Sequence, residues 1–313
     1  MRIAFVIQTY RQLDQVGRLI DTLNQGHRDR QIVITHSGSL KDVEAVVTGR
    51  QVDCVLPAVP GRARFGLIDS YMSALRWLRR HGKPYDWVVL LSGQDYPLRP
   101  LRELAQELEK SPYDGYFYYV DPLKGENCST GPMSLRRRDC EDRYFYRYAF
   151  LTDDLSRLER AALKLPRLLL GLTHDFRLNT SYGLCLGRRS KATPFSPGFG
   201  LYCGSYWHII RRACAEAILD FADDNANVVD YFRHVILPDE CFIQTVLLNN
   251  GGFRISSRDL RYFDFSRSRH GHPKTLGSND LAAAFASGCF FARKFDIGSD
   301  PDILDVLDRR VCA

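Results

Sequence analysis

Trp87-Val88-Val89-Leu90-Leu91-Ser92-Gly93-Gln94-Asp95-Tyr96-Pro97-Leu98 decides the fold. Its first five residues are apolar without alternation, which suits a strand covered on both faces. Gly93, Asp95 and Pro97 then close it in a turn. Upstream, Arg2 to Gln8 is another short apolar run, Gln31 to Thr35 a second strand and Val52 to Leu56 a shorter third. Between them, Leu13 to Leu23 and Phe65 to Leu78 repeat apolar residues at helical spacing, and Arg79-Arg80-His81-Gly82 is a good helix stop. Pro100 to Leu108 reads as a helix opened by proline, and Tyr116 to Val120 as a further strand. Strands alternating with helices imply an α/β fold with a mostly parallel central sheet. Ligands of such sheets sit at the carboxyl ends of the strands.

Downstream, Ser134 to Pro197 lacks this regularity and reads as an irregular insertion. The pattern resumes with a strand-like run from Ser205 to Ile210, an amphipathic helix from Arg211 to Phe221 and a second helix from Asp239 to Asn249 after Pro238. The tail from Asp280 ends in a helix and the cluster FFARKFD. With no repeat and no low-complexity linker, the 313 residues make one continuous domain, divided here into 1–133, an insertion 134–200, and 201–313.

Hydrophobic residues at 45% and charged ones at 26% exclude a disordered or fibrous chain. No apolar run reaches the ~18 residues of a membrane span. The most apolar stretch, Leu163 to Leu172, is interrupted by Lys164, Pro166 and Arg167. MRIAFVIQTYRQ reads as a first strand rather than a signal peptide. The nine cysteines form no C-x-x-C pair, so reduced cytosolic thiols are expected and a zinc site is not. The net charge of +6 lies wholly between Ser134 and Ala192, where 13 Arg and Lys face 7 Asp and Glu. Such a basic, aromatic stretch suits nucleic acid, anionic headgroups or an anionic carbohydrate, or is a solvated insertion with no partner.

Four segments carry candidate chemistry. In the turn after the central strand, Asp95 is either an Asx-turn residue or an acceptor for a sugar hydroxyl, beside Ser92 and Gly93. Cys203-Gly204-Ser205-Tyr206-Trp207 ends in an indole that is either core or a stacking face for a sugar ring. Leu237-Pro238-Asp239-Glu240 sets two carboxylates at a helix start, a place suited to dipole compensation or to a general base. Phe290-Phe291-Ala292-Arg293-Lys294-Phe295-Asp296 sets two cations among phenylalanines, suited to a diphosphate, with Lys274 of His272-Pro273-Lys274-Thr275-Leu276 as a third. His270 and His272 read as a turn rather than metal ligands, and Asp300-Pro301-Asp302 as a loop. There is no nucleophile elbow, phosphate loop or dinucleotide glycine motif.

LSGQDYPL, GSYW, LPDECFIQTVL, HPKTL and FFARKFD, in that order, resemble the core-2/I-branching N-acetylglucosaminyltransferase and peptide O-xylosyltransferase family. The resemblance covers most of the chain except Ser134 to about Gly200. It implies a nucleotide-sugar-binding α/β fold of the GT-A type, inverting and metal-independent, here as a soluble bacterial-type member. Residues 1–133 are then the nucleotide-binding half and 201–313 the acceptor and catalytic half. Carried over by motif, Glu240 matches the general base. Arg293 and Lys294 match the basic pair facing the donor diphosphate, while Ser92, Gly93, Asp95 and Lys274 fall on the donor side. Gly204, Ser205, Trp207 and Asp239 fall beside the acceptor. The branching enzymes have an Asp near the uridine where this chain reads Thr35-His36-Ser37-Gly38, and an Arg about where Lys274 stands.

The expected reaction moves GlcNAc or xylose from a UDP-sugar to a hydroxyl of a glycan or lipid-linked acceptor, with no cofactor and no metal. The expected location is cytoplasmic, with peripheral contact at the inner membrane face. The rival readings are a nucleic-acid or anionic-surface binder using Arg136 to Arg147 and a catalytically silent sugar-binding relative. Steep salt dependence without UDP affinity marks the binder.

Overall fold

The computed structural model describes residues 1–61, 63–124, 137–266 and 272–311. Its core is a seven-stranded sheet in the order Ile255–Ser256, Gly115–Tyr116, Ile209–Arg211, Trp87–Ser92, Ile3–Thr9, Arg30–His36, Cys54–Pro57. The last four run parallel, with Val89 and Ile32 on either side of Phe5. Ile209–Arg211 is antiparallel to both its neighbours, and Ile255–Ser256 returns parallel to Gly115–Tyr116. The sheet thus takes strands from both ends of the chain.

Every residue of Ile3–Thr9 and Trp87–Ser92 is buried, as continuous apolar runs require when helices cover both faces. On one face Gly66–His81, Arg212–Asp224 and Phe242–Asn249 pack through Ile68, Leu75, Ile218 and Ile243. On the other, Leu13–Gly26, Leu101–Glu109 and Ile303–Val311 pack through Leu19, Leu104 and Leu307. A smaller sheet, Arg261–Phe263, Phe291–Arg293 and Tyr96–Pro97, brings the FFARKFD cluster against the turn after the central strand.

Three expectations need correction. The stretch read as irregular is ordered wherever described. Tyr146–Thr152, Leu184–Arg189 and Phe176–Asn179 form an antiparallel sheet, accompanied by helices Arg137–Tyr144, Arg157–Ala162 and Lys164–Leu172. Its strands hide one face and wet the other, so arginines break the apolar run that a buried strand shows. Second, the helix expected from Asp239 begins only at Phe242. Pro238–Glu240 is a separate 3-10 turn, because Cys241 adopts φ −150°, ψ −26° and interrupts the helix. Third, Tyr116 to Val120 divides into Gly115–Tyr116 and Tyr119–Val120, which belong to different sheets. Leu40–Val47, a helix with one buried residue, was not foreseen.

The seven described cysteines are free thiols, the sulfurs of Cys140 and Cys203 lying 4.0 Å apart. Cys128 and Cys312 lie outside the described residues. Among the described residues no helix is long and apolar enough to cross a membrane.

Candidate functional site

A cavity of about 680 Å³ opens at the carboxyl ends of the parallel strands. Gln8 and Thr9 reach it from the first strand, Thr35 from the second, and Ser92 and Gly93 from the central one. This is where an α/β sheet places its ligands. Gln8 Oε1, Thr9 Oγ1 and Thr35 Oγ1 are buried there without hydrogen-bond partners. Buried polar atoms are normally satisfied, so three orphans on one wall mark a surface shaped for a polar guest. Neither Gln8 nor Thr9 was foreseen as a site residue, since they stand at the end of an apolar run that reads as buried strand.

Asp239 and Glu240 line the same cavity, presented by the 3-10 turn. Arg143 Nη1 donates to Glu240 Oε2 at 2.7 Å, and both side chains are about a quarter exposed. Burial pushes the Glu240 carboxyl up from its ordinary range, and Arg143 pulls it back down. Burial and the neighbouring Glu240 push Asp239 up to about 7. Burial thus raises both carboxyls, and Glu240 alone has a fixed cation in hydrogen-bond contact that opposes the rise. Adjacent carboxyls set in different surroundings at one cavity wall are an arrangement that acid–base chemistry can use.

The cations stand on the remaining wall segments. Arg293 and Lys294 both line the cavity. The Arg293 guanidinium lies 4.0 Å from the Trp207 ring centroid, and Arg261 lies 5.6 Å from it. Burial lowers the Arg293 pKa to about 10, opposed by Asp95. Its Nε is buried without a hydrogen-bond partner. Trp207 therefore lines the cavity as a seat for a desolvated cation.

Gly204, Ser205 and Trp207 line the cavity. The Ser205 carbonyl accepts from Gln244 Nε2 at 2.6 Å, which ties this segment to the helix behind the carboxylate turn. A Cβ on Gly204 would stand 1.9 Å from the Tyr118 carbonyl oxygen, so the strand pair Cys203–Gly204 and Tyr119–Val120 closes only on glycine.

Two assignments are corrected. Asp95 does not reach the cavity: it is fully buried, its Oδ1 2.6 Å from Arg261 Nε and its Oδ2 3.9 Å from Arg293 Nε. Its Oδ2 also accepts from the Ser92 amide at 2.7 Å, closing the turn. The carboxylate holds two guanidiniums in place rather than meeting a sugar, because burial demands that a charged group be paired. Lys274 is likewise turned away. Its Nζ lies 2.5 Å from Asp280 and 3.9 Å from Asp264, while only its neighbours His272 and Pro273 line the cavity.

Asp259, Tyr182 and Arg143 belong to the site and were not singled out from sequence. Asp259 lines the cavity with Oδ2 buried and unpartnered, and burial pushes it up to about 7 against the pull of Arg261. An acidic residue between arginines in RDLRYF was the available signal. His270 lies outside the described residues. Among the described residues no group of three or more His, Cys, Asp or Glu could hold a metal ion. Asp300 accepts from the Ser278 amide at 2.9 Å, and neither it nor Asp302 lines the cavity.

Residues 182–287 match the model of the Core-2/I-branching enzyme family. The chain is 25% identical over 246 residues to the β-glucuronosyltransferase GlcAT14A of Arabidopsis thaliana, a match that covers 77% of this chain. The chain spans about half the length of that relative, 46% of it. Over residues 182–287, which hold the GSYW, LPDECFIQTVL and HPKTL motifs, the chain is thus similar to the Core-2/I-branching enzymes. Distant structural likenesses include a 4-diphosphocytidyl-2C-methyl-D-erythritol synthase from Anaerococcus prevotii (9% identity, 91% of this chain and 95% of that one, TM-score 0.38). Another is the glucosyl-3-phosphoglycerate synthase of Mycobacterium tuberculosis (15% identity, 36% and 42%, TM-score 0.28). Both are too remote to bear on activity.

Proposed function

We propose that the chain is an inverting glycosyltransferase of GT-A type that uses a UDP-sugar without a metal ion. One observation carries this reading: a single cavity is lined at once by the Asp239–Glu240 carboxyls and the Arg293–Lys294 cations. Inversion is one displacement. Glu240 accepts the proton of an acceptor hydroxyl as that oxygen attacks the anomeric carbon from the side opposite the nucleotide. The bond to the departing diphosphate breaks, and its growing negative charge is met by Arg293 and Lys294. Arg143 opposes the burial that would otherwise favour the protonated form of Glu240, and so favours the anion a base needs.

In this reading Ser92, Gly93 and the orphan atoms of Gln8, Thr9 and Thr35 belong to the donor side. Gly204, Ser205, Trp207 and Asp239 belong nearer the acceptor. Asp95 and Arg261 support Arg293 from behind. The donor is UDP-GlcNAc or UDP-xylose, and the acceptor a hydroxyl of a glycan or of a lipid-linked glycan. The glucuronosyl specificity in the name of the plant relative adds UDP-glucuronic acid to the donors to be compared.

The test is a transfer assay over these three UDP-sugars, with and without EDTA. Product is expected to form in EDTA, and Glu240→Gln is expected to lower the rate by ~10²-fold or more, as loss of a general base does. Activity abolished by EDTA and restored by Mn²⁺ overturns the metal-free mechanism. Full activity of Glu240→Gln overturns the assignment of the base.

A further inference from the structure

The basic run from Arg137 is largely committed inside the molecule: Arg137 pairs with Glu141, Arg143 with Glu240 and Arg147 with Asp230. A different surface is left open. Helices Arg157–Ala162 and Lys164–Leu172 bury none of their residues, although Lys164–Leu172 is strongly amphipathic. Leu165, Leu168, Leu169 and Leu172 recur at positions i, i+3, i+4 and i+7, so they share one face of the helix. That face looks outward, with the four leucines 62%, 63%, 56% and 78% exposed, and Leu158 of the neighbouring helix 82% exposed. Leu163, Leu170 and Gly171 are the partly buried residues of the two helices and their junction. A surface helix ordinarily does the reverse, hiding its leucines and wetting its charges.

The charges identify what covers this face. Arg157, Arg160, Lys164 and Arg167 accompany a single acid, Glu159. That acid is already engaged, accepting from the Ser156 amide at 2.7 Å in a capping box. A second copy of the same face would set cations against cations, which disfavours self-association. A surface of anionic lipid headgroups over hydrocarbon offers the complement to both features, taking the arginines and lysine at the headgroups and the leucines below them. A nine-residue helix is too short to span and is of a length to lie in the interface. The pair is also tied to the site, since Arg160 Nη1 donates to the Thr180 carbonyl at 3.0 Å, two residues before the cavity-lining Tyr182.

We infer that the outward leucine face of Lys164–Leu172, with Leu158, is a docking surface for an anionic membrane. The test is vesicle flotation of the full chain on phosphatidylcholine with and without phosphatidylglycerol. Binding to the anionic vesicles is expected to exceed binding to the neutral ones by about tenfold or more. Replacing Leu165, Leu168, Leu169 and Leu172 together by Ser is expected to weaken it by at least about tenfold, with an unchanged melting temperature. Absence of binding by the wild type, or binding that survives the leucine replacements, overturns the proposal. So does a wild-type dimer that the same replacements convert to monomer in the absence of vesicle binding, since the face then serves a second copy. Should the leucine variant melt early, Lys164→Glu with Arg167→Glu decides: lost anionic binding supports the proposal, and retained binding overturns it.

Discussion

Arg143 and Glu240 are joined at 2.7 Å across 97 residues of chain. The arginine belongs to a helix in the basic stretch, and the glutamate to the turn that presents the two carboxyls to the cavity. In the proposed reaction the glutamate must be anionic to take a proton, and burial alone works against that. The arginine supplies the opposing influence. Arg143→Ala is therefore expected to raise the Glu240 pKa and move the acidic limb of the kcat/KM profile upward by about one pH unit. An acidic limb that stays where it was would show that the pair is only structural.

Trp207 lies under the Arg293 guanidinium, at 4.0 Å. Trp207→Ala removes a cation–π contact of about 1–2 kcal/mol and leaves the cation without its platform. UDP affinity, measured by calorimetry, is expected to fall about tenfold. Trp207→Phe is expected to recover part of the loss. Equal affinity in wild type and Trp207→Ala would remove this residue from the site.

Asp259 and Asp239 make the fold sensitive to pH in a defined direction. Both carboxyls are pushed up from 3.8 to about 7, mainly by burial. Between about pH 4 and pH 7 the folded chain therefore holds protons that the unfolded chain has released, and stability falls as pH rises through that window. Asp259→Asn is expected to match the wild type near pH 5 and to melt above it at pH 8, by an amount on the order of 2 kcal/mol. Parallel melting curves at both pH values would contradict the assignment.

Gly204→Ala tests the cavity wall. The added methyl would stand 1.9 Å from the Tyr118 carbonyl oxygen, a backbone atom that cannot step aside alone. A loss of about 2 kcal/mol or more in chemical denaturation is expected, as for overpacked cores. A variant of wild-type stability would show that the strand pair Cys203–Gly204 and Tyr119–Val120 is loosely held.

The strands that build the floor of the site were legible because each is a short apolar run hidden on both faces. Ile3–Thr9 and Trp87–Ser92 were located to within a residue or so at each end. The carboxyl-end crevice followed from their parallel order. What escaped the sequence was pairing over long separations. Asp95 stands in a turn that suits a ligand contact as well as a buried anchor, and only the approach of Arg261 decides between them. Lys274 looked available until the fold placed Asp280 beside it. The interruption at Cys241 moved Asp239 and Glu240 off the helix, because a 3-10 turn with proline at its start has the same local signature as a first helical turn. The half-exposed sheet of the basic stretch was hidden for another reason. Its alternation of arginine with tyrosine is too short to separate from a loop.

The buried floor beneath the cavity also ties thermal endurance to occupancy. Arg261 and Arg293 both lean on the fully enclosed Asp95, with Asp259 beside them, so two guanidiniums are held largely out of water. In the proposed reaction the donor diphosphate meets those cations in the folded form alone, so its contribution to the melting point is expected to grow with the logarithm of its concentration. On that proposal, adding UDP is expected to raise the melting temperature step by step with its concentration, and a melting temperature indifferent to UDP would contradict it.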